Sequence, residues 1–400
     1  MRHPDPLSLV GQVLDGTYRI DSLVGEGGFG VVYRAFHLGF EEPVAVKCLK
    51  IPGTLSPAMR DAFLAKFREE GKLLFQLSKG TLGIVRSIAV GDTLSPSGVW
   101  APYFVLEWLD GESLADAMKV RRAQGFRGRP LAEVMRWLQR PAQALAYAHD
   151  RRVAHRDIKP ANLFVVRSDP GSIPPIKILD FGIAKAMEQG PNDLGRALTK
   201  AGFSAFTPQY AAPEQFDPRI GPTGPWSDVY SFALVVVELL TDRLPVVGDD
   251  AISLMQSTLN PSARPTPRGK GLMVPEAVER VFARALSIDP TLRFADAGGF
   301  WDALVAADSE SNPRSQLAAP SEMTFPTAHP GLPTPSSIQV SQGMLPTPYF
   351  APTAVPAQAP LAGPPKRRVW AWVLFGIVLG IAMIFATGVL TCTTCVYSAF

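Results

Sequence analysis

Five polar residues of this chain have the types and order that suit phosphate chemistry. Asp157, Lys159 and Asn162 fall within His155-Arg156-Asp157-Ile158-Lys159-Pro160-Ala161-Asn162, and Asp180 opens Asp180-Phe181-Gly182 downstream. Lys47 ends the upstream run Val44-Ala45-Val46-Lys47. A carboxylate beside a hydroxyl can orient it and accept its proton as a phosphoryl group moves. A lysine nearby can neutralise charge developing on that phosphate. Asn and Asp offer the hard oxygens that suit Mg²⁺. Ahead of Lys47 runs Gly25-Glu26-Gly27-Gly28-Phe29-Gly30, where glycines let the backbone approach phosphates closely. Dinucleotide-binding folds use a similar run to open a helix. Here Val31-Val32-Tyr33 follows, and β-branched residues favour a returning strand, so a hairpin tip is expected.

The four motifs, in this order, match the signature set of protein kinases. Over roughly residues 15–305 the chain resembles the bacterial eukaryotic-like (Hanks-type) serine/threonine protein kinases. The resemblance implies an α+β fold of two lobes, strand-rich to about residue 108 and helical from about 109, with the motifs at their junction. It implies ATP and Mg²⁺ as cofactors, with Mn²⁺ as an alternative metal, and protein substrates with Ser or Thr acceptors. Asp157 and Lys159 would be catalytic, and Asn162 and Asp180 the metal ligands. Lys47 would hold the α- and β-phosphates and pair with a helical glutamate. Glu70, spaced with Leu74 and Leu77, matches that glutamate best, and Glu69 is the alternative.

The nucleotide would lie against Val24, Gly25, Glu26, Gly27, Gly28, Phe29, Gly30, Val31, Val32, Ala45 and Phe164. Glu107 and Leu109, in Leu106-Glu107-Trp108-Leu109, would offer backbone groups to adenine. Glu214, in Tyr210-Ala211-Ala212-Pro213-Glu214, would pair with Arg293, and Asp228 would brace the catalytic loop. Arg156, before the catalytic Asp157, suggests a switch by phosphate on the activation segment, since phosphate pairs well with Arg. Thr199 and Ser204 are the candidate acceptors, whereas Thr207 resembles the substrate-contacting Thr. The rival reading is a catalytically silent pseudokinase scaffold, which typically lacks one of Lys47, Asp157 or Asp180; all are present here.

The elements that must position these residues are legible in periodicity. Strands are expected around Tyr18–Ile20, Val31–Tyr33, Val44–Val46, Ile84–Val90 and Tyr103–Leu106, and a helix over Asp61–Leu77. Helices follow over Leu131–Arg151, Ser227–Leu240 and Glu276–Leu286, with small strands at Leu163–Val166 and Ile176–Leu179. Residues 1–14 read as an N-terminal tail.

Beyond residue 309 the composition shifts. Residues 309–365 are rich in Pro, Ser, Thr and Ala, with no charged residue between Glu322 and Lys366, as in a disordered linker. Its Leu332-Pro333-Thr334-Pro335 and Leu345-Pro346-Thr347-Pro348 suit proline-motif-binding partners or a plain spacer. Residues 369–390 carry no charge and, at about 1.5 Å per helical residue, would cross a bilayer core of ~30 Å. Lys366-Arg367-Arg368 precede them, and the short tail 391–400 holds no basic residue, so the positive-inside rule predicts a single-pass cell-membrane protein with the kinase domain in the cytoplasm. The tail is too short to bury a core, so no far-side sensor domain is expected. Cys392 and Cys395 read as small residues at a helix end, or as a disulfide or lipidation site. With only 3 cysteines no disulfide framework is expected, and a formal charge of +3 gives no nucleic-acid footprint.

Overall fold

The computed structural model describes residues 5–27, 30–51, 56–169, 171–181 and 207–311. Gly28, Phe29, Gly182, Thr199, Ser204, most of the expected linker, and the expected membrane span and tail lie outside them. No helix among the described residues is long and apolar enough to cross a membrane.

The first lobe is an antiparallel sheet with one long helix. Its strands are β1 (Val13–Leu14), β2 (Tyr18–Gly27), β3 (Gly30–His37), β4 (Glu42–Leu49), β5 (Ser87–Leu94) and β6 (Trp100–Glu107), in the order β1-β2-β3-β4-β6-β5. Alternation along the strands sorts their side chains onto two faces. Val31, Tyr33, Ala35, Val44, Val46 and Cys48 are buried in one core, with Tyr103 and Val105 from β6. Val32, Ala45 and Lys47 point the other way, toward the second lobe. Helix α1 (Pro57–Gly80) starts at Ser56, whose Oγ accepts the Met59 amide, with Pro57 in the first turn. It buries Phe63, Phe67, Leu74 and Leu77 as one stripe, and Phe67 meets Phe104 of the sheet at a ring separation of 4.2 Å. The helix extends beyond the expected Asp61–Leu77 at both ends, because capping and the last turn leave no apolar mark.

The N-terminal segment departs from the expected tail. Leu7, Leu9 and Leu14 are buried in the same core as Tyr33 and Tyr103. The Asp5 carboxylate accepts hydrogen bonds from the Leu7 and Val10 amides and, at 2.5 Å, from the Tyr33 hydroxyl. Asp15 accepts the Tyr103 hydroxyl at 2.5 Å. Residues 5–14 thus form a strap over the sheet. Their apolar residues are too few and too irregularly spaced to read as an element.

The second lobe is mainly helical. A small sheet, β7 (Gly111–Ser113), β8 (Leu163–Val166) and β9 (Ile176–Ile178), lies beside α2 (Leu114–Ala123) and α3 (Leu131–Asp150). Then come α4 (Pro213–Phe216), α5 (Pro225–Thr241), α6 (Ala251–Leu259), α7 (Glu276–Ala285) and α8 (Ala297–Ser311). Every residue of α5 from Ser227 to Leu240 is buried, so this helix is the axis of the lobe.

Candidate active site

Each site residue is delivered by an element whose placement follows from packing. Gly27 pairs with Gly30 at the β2–β3 hairpin, as expected for the glycine run. A Cβ on Gly30 would collide with the Cys48 carbonyl, so β3 lies against β4 only because this residue is glycine. Gly25 and Gly27 have open space where a Cβ would stand, room that a phosphate requires. Glu26 is held to Lys50 by an ion pair.

Opposite Val32 in the β3–β4 register stands Lys47, which is buried, and its Nζ lies 2.5 Å from Asp180 Oδ1. Burial opposes ionisation of Asp180, but the Lys47 ammonium outweighs it and holds the carboxyl below its ordinary range. His155 and then Lys159 add to the same effect. The expected Lys47–Glu70 pair is not among the ion pairs of the described residues; Lys47 takes Asp180 instead. Glu70 sits half-buried on α1 between Phe67 and Leu74, whereas Glu69 is exposed. Asp180 has a left-handed backbone (φ 58°), which turns the chain sharply at the motif.

The loop His155–Asn162 is fixed from both sides. Asp157 accepts three hydrogen bonds: Lys159 Nζ at 2.7 Å and Asn162 Nδ2 at 3.1 Å reach Oδ2, and the Thr207 amide reaches Oδ1 at 3.0 Å. Lys159 Nζ also donates to Thr207 Oγ1. Asn162 Nδ2 donates a second bond to the Asp157 carbonyl at 2.8 Å, which leaves its Oδ1 available to a cation. The His155 ring accepts the Asp157 amide at Nδ1 and donates from Nε2 to the Leu179 carbonyl at 2.7 Å, linking this loop to the Asp180 motif. Its ring packs edge-on against Phe181 at 4.8 Å.

Beneath the loop, α5 supplies Asp228, which has no exposed surface. Its carboxylate accepts the His155 and Arg156 amides, each at 2.6 Å, and His149 Nε2 at 2.9 Å. Burial works against ionisation here too; the hydrogen bonds prevail and hold the carboxyl below its usual range. The His149 Nδ1 accepts the Ala297 amide at 3.1 Å, so its ring ties α3, α5 and α8 together. Sequence reading found Asp228 but missed His149. A polar ring in the last turn of an otherwise apolar helical stripe was the available signal.

Glu214 and Arg293 pair as expected, in bidentate form at 2.7 and 2.8 Å with neither side chain exposed. Arg293 spends its remaining donors on the carbonyls of Ser287, Trp226 and Ile288, and Ser227 Oγ donates to Glu214 at 2.6 Å. The Arg156 carbonyl is held by Gln215 Nε2 at 2.9 Å.

Toward the adenine end, Ala45, Leu109 and Phe164 are half-buried and Val24 is exposed. The Glu107 carboxylate accepts the Arg86 amide at 2.8 Å and the Lys177 ammonium, so this side chain links β6 to β9. Its own amide donates to the Arg86 carbonyl at 2.9 Å.

Two lobes with lysines, carboxylates and a glycine hairpin converging between them define a phosphate-handling cleft. The protein kinase domain family matches residues 18–295, and the chain belongs to that family. Serine/threonine-protein kinase pkn3 of Myxococcus xanthus is 35% identical over 315 residues, covering 78% of this chain and 53% of that protein. Pkn1 of the same organism is 36% identical over 298 residues, covering 74% of this chain and 39% of that protein. The chain therefore spans about half, or less, of the length of these two relatives. A crystal structure of the Mycobacterium tuberculosis PknI kinase domain aligns with a TM-score of 0.52 at 25% identity, over 74% of this chain and 98% of that one. The family uses ATP and a divalent metal.

Proposed function

We propose that this chain is an active serine/threonine protein kinase, moving the γ-phosphate of ATP to Ser or Thr hydroxyls of proteins. The observation that carries this reading is the contact network Lys47–Asp180 and Asp157–Lys159–Asn162, complete in one cleft. Asp157 orients the acceptor hydroxyl and takes its proton. Lys159 shares its charge between Asp157 and the transferring phosphate. Lys47 holds the α- and β-phosphates beneath the Gly25–Gly30 hairpin, and the adenine lies between Val32, Ala45 and Phe164, with the Glu107 and Leu109 backbone at its edge. Mg²⁺ fits the donor set. Asn162 has its Oδ1 uncommitted, and Asp180 is an ionised carboxylate with one oxygen on Lys47. When bound, Mg²⁺ offsets charge on the phosphate oxygens. Asn162 and Asp180 would hold it, with Mn²⁺ a second metal of the same type.

Transfer of labelled phosphate from ATP to a protein substrate by the purified chain is the expected result. Lys47→Met should abolish it, since the mutation removes both the phosphate contact and the partner of Asp180. Binding of ATP analogues without any transfer, under conditions where the mutant and parent behave alike, would favour a silent scaffold instead.

Control and location belong to the same proposal. Arg156 adjoins Asp157, so a phosphate on Thr199 or Ser204 has a cation to pair with. The motivation for a membrane anchor is the uncharged run 369–390 after three basic residues. The full chain is expected in the membrane fraction, released by detergent and not by salt, with a C-terminal reporter active only outside the cytoplasm. Recovery in the soluble fraction, or a reporter active in the cytoplasm, would overturn that part. The Pro-rich stretch between serves as a spacer or as a ligand for proline-motif-binding proteins.

A further inference from the structure

We infer that the helical lobe carries a docking cleft for an acidic segment of a protein partner. The cleft, of about 410 Å³, is walled by the turn between α2 and α3, the end of α5 and the turn before α7. Arg127, Arg129, Arg243 and Lys270 line it. A second hollow of about 490 Å³ continues from it, sharing Arg243 and Lys270 and adding Leu244 and Val247. No carboxylate lines either hollow, and none of the lining residues belongs to the active site.

The acidic groups nearby are already committed. Glu133 pairs with Arg129 at 2.8 Å, and Glu238 and Asp242 pair with Arg122 at 2.9 and 2.8 Å. Arg243 donates to the Lys270 carbonyl at 3.3 Å, a neutral partner that leaves its charge uncompensated. Arg127 is exposed and Lys270 half-buried, and neither side chain has a hydrogen bond or ion pair among the described residues. Burial, and to a lesser extent the neighbouring Arg243 charge, depress the Lys270 pKa.

The shape selects among anions. A lone phosphate is far smaller than either hollow and would leave the exposed Leu244 and Val247 unused. The hollows are shallow and open, and Leu240 and Leu272 line the first beside its cations, so apolar and basic groups alternate along one strip. An extended peptide with carboxylates and an occasional apolar side chain uses the whole surface, and complementary charge would steer it there. This inference goes beyond the kinase reading and does not rest on it, because binding is measured without turnover.

The test is fluorescence anisotropy with the full chain and a labelled peptide of Glu with interspersed Leu, against the same peptide with Gln for Glu. The Glu peptide is expected to bind, and the Gln peptide to bind at least about tenfold more weakly. Arg243→Glu combined with Lys270→Glu should weaken the Glu peptide by roughly tenfold or more, and added salt should weaken it in the parent. The milder pair Arg127→Ala and Lys270→Gln should weaken it severalfold, with an unchanged unfolding midpoint as the folding control. Asp157→Asn should bind it as the parent does. Equal binding of Glu and Gln peptides, or unaltered binding by the charge-reversed chain, would overturn the inference. So would a failure of the peptide to bind while inorganic phosphate or phosphatidylglycerol vesicles bind in an Arg243- and Lys270-dependent way.

Discussion

Asp157→Asn is expected to lower kcat for phosphoryl transfer by about 10²–10⁴-fold, the range for losing a positioned general base. The substitution keeps the size of the side chain and one oxygen, so the Thr207 amide retains an acceptor. It removes the group that takes the hydroxyl proton and the anion that faces Lys159 Nζ at 2.7 Å. The nucleotide contacts lie elsewhere, on Lys47 and the glycine hairpin. Single-turnover kinetics together with calorimetric ATP binding separate the two effects: chemistry should collapse while ATP affinity stays within a few-fold. Turnover within tenfold of the parent would remove Asp157 from the catalytic role.

Arg293→Leu is expected to cost about 3–5 kcal/mol of stability, because it leaves the Glu214 carboxylate buried without its cation. The guanidinium makes two bonds to Glu214 and three to backbone carbonyls, all in a place with no exposed surface. Replacing both partners, Glu214→Leu with Arg293→Leu, should recover part of the loss, since no lone buried charge remains. Denaturant midpoints of the parent, single and double variants measure this. A single variant within about 1 kcal/mol of the parent would mean that water or a neighbour compensates Glu214.

The residues that do chemistry were legible because each is fixed by local order along the chain. The glycine run, Lys47, the His155–Asn162 loop and Asp180 are recognisable without knowing what packs on them, and the structure brings them into one cleft. Strands such as Leu163–Val166 were legible as short apolar runs, α3 through its apolar stripe, and α5 as a long, nearly continuous apolar run. What escaped depends on contacts across long separations. His149 matters only because Asp228 and Ala297 meet its two nitrogens, and neither neighbour is near it in sequence. Spacing along α1 singles out Glu70, but it cannot show that Lys47 meets Asp180, which lies far from it in sequence. Glu107 was read for its backbone, whereas its carboxylate joins the two sheets through Lys177.

The strap of residues 5–14 separates two boundaries that are usually drawn as one. The family match begins at Tyr18, but the first lobe does not close there. A chain begun at Tyr18 would lose Leu7, Leu9 and Leu14 from the core behind β3, β4 and β6. It would also leave the hydroxyls of Tyr33 and Tyr103 without Asp5 and Asp15, their acceptors at 2.5 Å. Both tyrosines stand on the strands that hold the glycine hairpin and Lys47 in register. Trimming to the recognisable unit would therefore loosen the nucleotide cradle from its far side, and an assay of the shortened chain would understate the enzyme.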